Sequence, residues 1–206
     1  YLSMLIERAG GENCFKGFKL VIDCANGAAS QIAPELFERV GCTLTIVNNS
    51  PDGTNINHNC GALEPENIAS LVRHENANMG VTFDGDADRI YFIDENGDYL
   101  FGVYINGLIA EKMCRENPGR VVLYDVRATR YIRKKIIEAG GIPKMELVGH
   151  VFFKNRMKKE KALFGGEASG HVYYNFGDYM VENSLIAFCQ ILQIISETGK
   201  SLGELT

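Results

Sequence analysis

Apolar residues recur along this chain with two alternating periods. FKLVID at residues 18–23 is a short run of the kind a buried strand uses, and a Gly/Ala turn and a helix-period stretch near residues 30–40 follow it. Residues 43–47 repeat the strand pattern. A polar, turn-rich stretch over 48–62 comes next, then a helix near 65–75 with Glu64 close to its start. Residues 79–83 and 90–94 predict a third and a fourth strand, and Asn96-Gly97 is a two-residue hairpin signal before the short run 99–101.

The rhythm then starts again. A helix near residues 103–116 stops at Asn117-Pro118-Gly119, and a strand over 120–124 leads to a helix around 129–139 that ends at Gly140-Gly141. A strand over 143–148, a basic amphipathic segment over 152–161, two short strands flanking 165–171 and a long apolar helix from about 183 to 197 complete the pattern. Strands alternating with helices of about ten residues indicate α/β layering. Two such modules meeting near residue 100 fit the 206 residues better than one.

Composition narrows the classes of function. A net charge of −5 without a basic tail argues against a general nucleic-acid binder. No apolar run approaches the ~18–20 residues that span a bilayer, and no signal-peptide pattern is present. The six cysteines, Cys14, Cys24, Cys42, Cys60, Cys114 and Cys189, form no CxxC pair, so free thiols in a reducing cytosol are expected rather than a zinc framework or disulfides. Tyr1-Leu2-Ser3-Met4 already lies inside a helical pattern, which reads as a piece of something longer.

The most informative segment is Asp84-Gly85-Asp86-Ala87-Asp88-Arg89, directly after an apolar strand. In a tight turn opened by Gly85 the three carboxylates converge on one point, and hard oxygen donors without nearby Cys or His suit Mg²⁺, Mn²⁺ or Ca²⁺ rather than zinc. Their mutual repulsion is a cost that a bound cation removes. Arg89 offers a guanidinium to a phosphate or to one of these carboxylates. Asp84, Asp86, Asp88 and Glu95 also match EF-hand positions 1, 3, 5 and 12. That loop requires Gly at position 6, where Arg89 stands, and helices on both sides, where this chain has strand-like flanks. An EF-hand is rejected, and a merely solvated acidic turn is the lesser reading.

A second loop, Gly165-Gly166-Glu167-Ala168-Ser169-Gly170-His171, sets a carboxylate, a hydroxyl and an imidazole at alternate positions. It is suited to hydrogen-bonding a polyol, and Glu167 or His171 could move protons near neutral pH.

DGDADR followed about eighty residues later by GEASGH resembles the α-D-phosphohexomutase superfamily, which interconverts sugar 6-phosphates and sugar 1-phosphates. LVIDCANGAAS, PDGTNIN, DVRATR and VGH occur in the family's order, so the resemblance covers essentially the whole chain. It implies two successive α/β/α layered domains with mixed sheets, residues 1–101 and 102–206, corresponding to the second and third of the family's four domains. It further implies that Asp84, Asp86 and Asp88 bind Mg²⁺ and that Arg89 supports the phosphoryl group. Glu167, Ser169 and His171 would grip the sugar hydroxyls. Arg127 and His150 would line the same cleft as candidates for proton transfer or phosphate contact.

In the implied reaction a phosphoserine donates its phosphoryl group, a bisphosphosugar forms, and the other phosphate returns to the serine. Partners are then a phosphorylated hexose, its bisphosphate and the family's first and fourth domains, with no nucleic acid and no membrane. No Ser-His-Asn-Pro-type loop occurs in the chain, so no mutase turnover is expected of it alone. Glu182-Asn183-Ser184 departs from an Asp-Asp-Gly-like stretch in many relatives.

In the basic run Lys154, Arg156, Lys158, Lys159 and Lys161, Lys154 is the best candidate for substrate contact, the rest reading as a solvated helix face. Asp23-Cys24-Ala25-Asn26-Gly27-Ala28 lacks both nucleotide-loop patterns and reads as a strand-to-helix turn. PDGTNINHNCGALEPENI resembles phosphoglucosamine mutases, whereas DVRATR and VGHVFFKNRM resemble the phosphomannomutase/phosphoglucomutase group, which is favoured. A reading of another class is a non-catalytic, metal-dependent sugar-phosphate-binding module.

Overall fold

The computed structural model describes residues 1–128 and 130–206. Two compact units emerge, Tyr1–Leu100 with Leu185–Thr206, and Phe101–Ser184. The first contains α1 (Leu2–Ala9), β1 (Lys19–Asp23), α2 (Ala29–Arg39), β2 (Thr43–Val47), α3 (Pro65–Glu75), β3 (Met79–Phe83), β4 (Ile90–Ile93) and β5 (Tyr99–Leu100). The second contains α4 (Gly102–Glu116), β6 (Val121–Asp125), α5 (Arg130–Glu138), β7 (Ile142–Glu146), α6 (His150–Glu160), β8 (Phe164–Gly166), β9 (Val172–Phe176) and β10 (Tyr179–Glu182). Helices α7 (Ser184–Thr198) and α8 (Leu202–Leu205) end the chain. The expected start of α5 at Thr129 lies outside the described residues.

Each unit has a five-stranded mixed sheet, in the orders β2-β1-β3-β4-β5 and β7-β6-β8-β9-β10. In both, the first three strands are parallel and the last two antiparallel. The connection β1–α2–β2 steps one way along the sheet and β2–α3–β3 steps back. Right-handed crossovers therefore put the two helices on opposite faces. Strand β1 is accordingly buried on both sides at Leu20, Val21 and Ile22. On one side Val21 and Ile93 pack with Ile68, Ala69 and Val72 of α3. The second unit repeats the device, with Phe153 and Met157 of α6 packed on Leu123 and Tyr173.

Most predicted elements coincide with observed ones to within two residues. The differences have physical causes. The edge strand β10 carries the mixed pattern Tyr-Met-Val-Glu, half-buried or exposed throughout, and shows no clean alternation. The sequence pattern groups helix α7 with the second half of the chain; in the structure its residues from Leu185 onward pack with the first unit. There the Phe188 ring packs tilted against Phe37 of α2 with 3.9 Å between ring centres, and the Cys189 thiol donates to the Leu5 carbonyl at 3.4 Å. Glu95 accepts hydrogen bonds from the Ser201 hydroxyl and, at 3.0 Å, from the Gly203 amide, fastening α8 to the same unit. Apolar content shows that such a helix is buried; it does not say against which sheet.

Candidate functional site

Both loops singled out in the sequence occupy the same topological place. Each joins the third, parallel strand of its sheet to the fourth, antiparallel one, at the carboxyl end of the parallel strands. Ligands of open α/β sheets bind at that end.

In the first unit β3 and β4 pair directly, Phe83 opposite Ile90, so the acidic loop is flanked by strands and not by EF-hand helices. The Asp84 carbonyl accepts the Ala87 amide at 3.1 Å, and Ala87 takes a left-handed φ of 60°. This tight turn brings one carboxylate oxygen from each of Asp84, Asp86 and Asp88 within 4.8 Å of the others. Asp84 is buried and Asp86 exposed, so the set opens to solvent at one end. The loop rests on the β1–α2 turn, where the Ala28 amide donates to the Gly85 carbonyl at 2.9 Å. A Cβ on Gly27 would stand 2.2 Å from that same oxygen. Buried Asp23 holds the support together, accepting the Ala25 amide at 2.8 Å and the Gly61 amide at 2.7 Å.

Arg89 turns back onto this cluster. Its Nε donates to Asp84 Oδ2 at 2.5 Å and lies 3.5 Å from Asp88 Oδ1, and its amide donates to Asp84 Oδ1 at 3.2 Å. Burial pushes the Asp84 carboxyl up, the hydrogen bonds and charge of Arg89 work against that, and the Asp88 charge adds to it. Burial alone would lower Arg89, but its bond to Asp84 and the surrounding negative charge raise it instead. Three hard oxygen donors, one desolvated and opposed by its neighbours, fit a divalent cation such as Mg²⁺.

In the second unit Glu167 follows β8 and is only 2% exposed. Its Oε1 accepts the Gly149 amide and the Tyr173 hydroxyl, both at 2.9 Å, and its Oε2 accepts the Ser169 hydroxyl at 3.1 Å. Glu167 is thus the internal anchor of the glycine-rich loop as well as a possible ligand group. Asn106 of α4 fixes the loop from below, donating to the Glu167 carbonyl at 2.9 Å. Arg127 reaches the Ser169 hydroxyl at 3.3 Å and Glu167 Oε2 at 3.5 Å, while its guanidinium is held by Asp125.

Two further predicted residues meet at one that sequence reasoning passed over as a contact. Glu182 of β10 pairs with Lys154 of α6, and its other oxygen lies 3.5 Å from His171 Nε2. His150 is exposed at the start of α6, next to the Gly149 that binds Glu167. Asp125, Tyr173 and Asn106 were also not foreseen. Asp125 had a signal, an acidic residue closing an apolar strand two positions before a candidate Arg. Tyr173 and Asn106 had none, because each is brought to the loop only by the packing of its own strand or helix.

Residues 1–97 match the family domain described as "Phosphoglucomutase/phosphomannomutase, alpha/beta/alpha domain II", and residues 96–206 match domain III of the same family. The chain belongs to the phosphoglucomutase/phosphomannomutase family. Among relatives of this family, the phosphoglucosamine mutase of Desulfovibrio desulfuricans is 37% identical over 97% of this chain and 47% of its own length. The phosphomannomutase/phosphoglucomutase of Pseudomonas aeruginosa is 35% identical over 88% of this chain and 40% of its own. A solved family structure from Burkholderia thailandensis superposes with a TM-score of 0.87 at 30% identity, covering 99% of this chain and 45% of that one. The chain therefore spans about half the length of the phosphohexomutases it matches.

Proposed function

We propose that this chain supplies the metal-binding and sugar-binding parts of a phosphohexomutase that interconverts hexose 6-phosphates and hexose 1-phosphates. The observation that carries the reading is the convergence of Asp84, Asp86 and Asp88 within 4.8 Å at the carboxyl end of β3, in a chain of this family.

Asp84, Asp86 and Asp88 would hold Mg²⁺, which when bound neutralises charge on a transferring phosphoryl group. Arg89 keeps Asp84 compensated and presents the rest of its guanidinium to the same charge. Ser169 and His171 contact sugar hydroxyls, and the Oε2 of Glu167 joins them by exchanging its bond to Ser169. Lys154 adds positive charge for a phosphate. An arginine side chain carries a permanent positive charge, so Arg127 is assigned to phosphate contact. Proton movement then falls to His150, His171 or Glu167. A cytoplasmic setting agrees with six free thiols and with the absence of any described helix long and apolar enough to cross a membrane. The phosphoserine and the grip on the non-reacting phosphate belong to the family's first and fourth domains, so this chain alone is proposed to be inactive.

The favoured substrates are mannose and glucose phosphates, because DVRATR and VGHVFFKNRM lie on the unit that carries the sugar loop. Glucosamine phosphate is the second reading, supported by the 37% identity to a phosphoglucosamine mutase. Titration calorimetry with Mg²⁺ and Mn²⁺ tests the metal set: wild type binds, and Asp86→Ala, altered at an exposed ligand, loses the heat without losing its fold. Equal affinity in the two proteins would remove the metal assignment. Turnover of glucose 1-phosphate by the purified chain would remove the proposal that it is inactive alone.

A further inference from the structure

The sugar-loop reading accounts for Glu167, Ser169 and His171 but leaves one wholly buried charge unexplained. Asp125 ends β6 with no exposed surface, where an ionised carboxylate is costly unless several donors satisfy it. It has them. Its Oδ1 accepts the Arg127 amide at 2.9 Å. Its Oδ2 accepts Arg127 Nε at 3.0 Å, Arg127 Nη2 at 2.6 Å and the Ala168 amide at 2.9 Å. Two of these donors, Nε and Nη2, belong to one guanidinium and close on the same oxygen, Oδ2, which holds the guanidinium by two charge-assisted bonds. The fourth belongs to the backbone of the glycine-rich loop itself. From this anchored position Arg127 Nη2 touches Ser169 and Glu167.

The first unit offers an internal comparison. Asp23, at the end of β1 as Asp125 is at the end of β6, also binds the amide two residues on and one distant backbone amide, from Ala25 and Gly61. Those two backbone bonds hold a buried strand-end aspartate in place. Asp125 adds a guanidinium that donates twice to its Oδ2, and that guanidinium is the one aimed at the sugar loop.

We infer that Asp125 is a positioning residue for sugar-phosphate binding, holding Arg127 and the Glu167–His171 loop as one rigid brace. The inference rests on the proposed sugar-phosphate reading of this loop. With no exposed surface, Asp125 would act through Arg127 and through the Ala168 amide rather than on a ligand itself. Without its charge, Arg127 is free to swing into solvent, as its half-exposed side chain permits, and the loop loses a backbone anchor.

The test uses the 206-residue chain, labelled for NMR and titrated with glucose 6-phosphate, following the amides of residues 167–171 and the Arg127 Nε–H signal. Asp125→Asn keeps the shape and removes the charge. With circular dichroism unchanged, it should weaken glucose 6-phosphate binding by about ten-fold or more, the size of one charge-assisted hydrogen bond. Arg127→Gln should weaken binding similarly, and the double variant should be no worse than the poorer single one, because both remove the same brace. Full additivity of the two losses, or wild-type affinity in Asp125→Asn, would overturn the inference. A wild-type chain whose loop signals ignore glucose 6-phosphate defeats the sugar reading instead. The brace is then judged by exchange: loop amides and Arg127 Nε–H that exchange no faster in Asp125→Asn also overturn it. If Asp125→Asn does not fold, the same exchange criterion applies to the loop amides of Arg127→Gln, altered at a half-exposed residue.

Discussion

Gly27→Ala is the sharpest test of how the metal loop is supported. Gly27 lies outside the left-handed backbone region, so alanine is conformationally acceptable there. At an unobstructed position the change stabilises by about 0.4–1 kcal/mol through the unfolded chain. Here the added Cβ would sit 2.2 Å from the Gly85 carbonyl oxygen and 2.9 Å from Gly85 Cα. Ordinary contact begins near 3.4 Å, so the metal loop must retreat by about 1.2 Å. The obstacle is backbone and cannot be rotated away. Overpacking of this kind costs ~1–3 kcal/mol. The displaced bond from the Ala28 amide to Gly85 adds ~0.5–1.5 kcal/mol. With the unfolded-chain gain subtracted, the net expectation is destabilisation by about 0.5–4 kcal/mol, opposite in sign to the unobstructed case. Urea unfolding reads the stability, and calorimetry with Mn²⁺ reads the site, whose affinity should fall because Asp84 and Asp86 flank the shifted Gly85. A variant as stable as wild type, or more stable, would refute the close approach of the two turns.

Other outcomes follow from the same contacts. Arg89→Met leaves buried Asp84 without its guanidinium, and should cost about 1–3 kcal/mol in EDTA. Part of that should return in millimolar Mg²⁺, and a melting temperature indifferent to both the variant and the metal would count against the pairing. Glu111 is bonded at 2.6 Å to Lys135 and at 2.6 Å to Arg115. Burial opposes its ionisation, but these partners hold its carboxyl below the usual range and Lys135 is raised in turn. A depressed carboxyl stabilises above its unfolded value of ~4.3, and a raised amine below ~10.4. The loss in Glu111→Gln, about 1 kcal/mol, should therefore be level between those limits. It should fade as pH falls through the lowered folded value of Glu111, and again as pH rises through the raised folded value of Lys135. Urea midpoints from about pH 2 to about pH 12 check both limbs, and a loss that grows on acidification contradicts the sign. Burial pushes the Cys24, Cys42 and Cys189 thiols up to about 12 and Cys114 up to about 11, whereas Cys14 is exposed. One thiol should react promptly with Ellman's reagent in the native chain and all six in denaturant; two or more prompt thiols would show that a buried segment opens.

Much of the candidate site was legible before any fold was known, because metal chemistry compresses into a short stretch of chain. Three aspartates on alternate positions, a glycine to turn on and strand-forming flanks lie within a few residues in DGDADR. The ordered motifs named the family on the same grounds. What could not be read was the use to which each charge is put. In sequence Arg89 reads as a partner for a phosphate or for a loop carboxylate, and Arg127 as a candidate for proton transfer or phosphate contact; in the fold both are held by carboxylates, Asp84 and Asp125. Glu167 reads as an open sugar ligand and is buried among Gly149, Tyr173 and Ser169. Lys154 and His171 stand on different elements and meet only at Glu182.

The division follows from the range of the forces involved. Periodicity, turn residues and local donor spacing act within about ten residues, and they determined the order of strands and helices and the clustering of the three aspartates proposed to hold a metal. Partners from distant segments depend on which strands become neighbours and which face each helix covers. Those choices placed α7 in the first unit, set Gly27 against Gly85, and brought Asp125 under a loop more than forty residues away. A buried carboxylate takes whatever donors the packing delivers, and only the tertiary structure decided which those were.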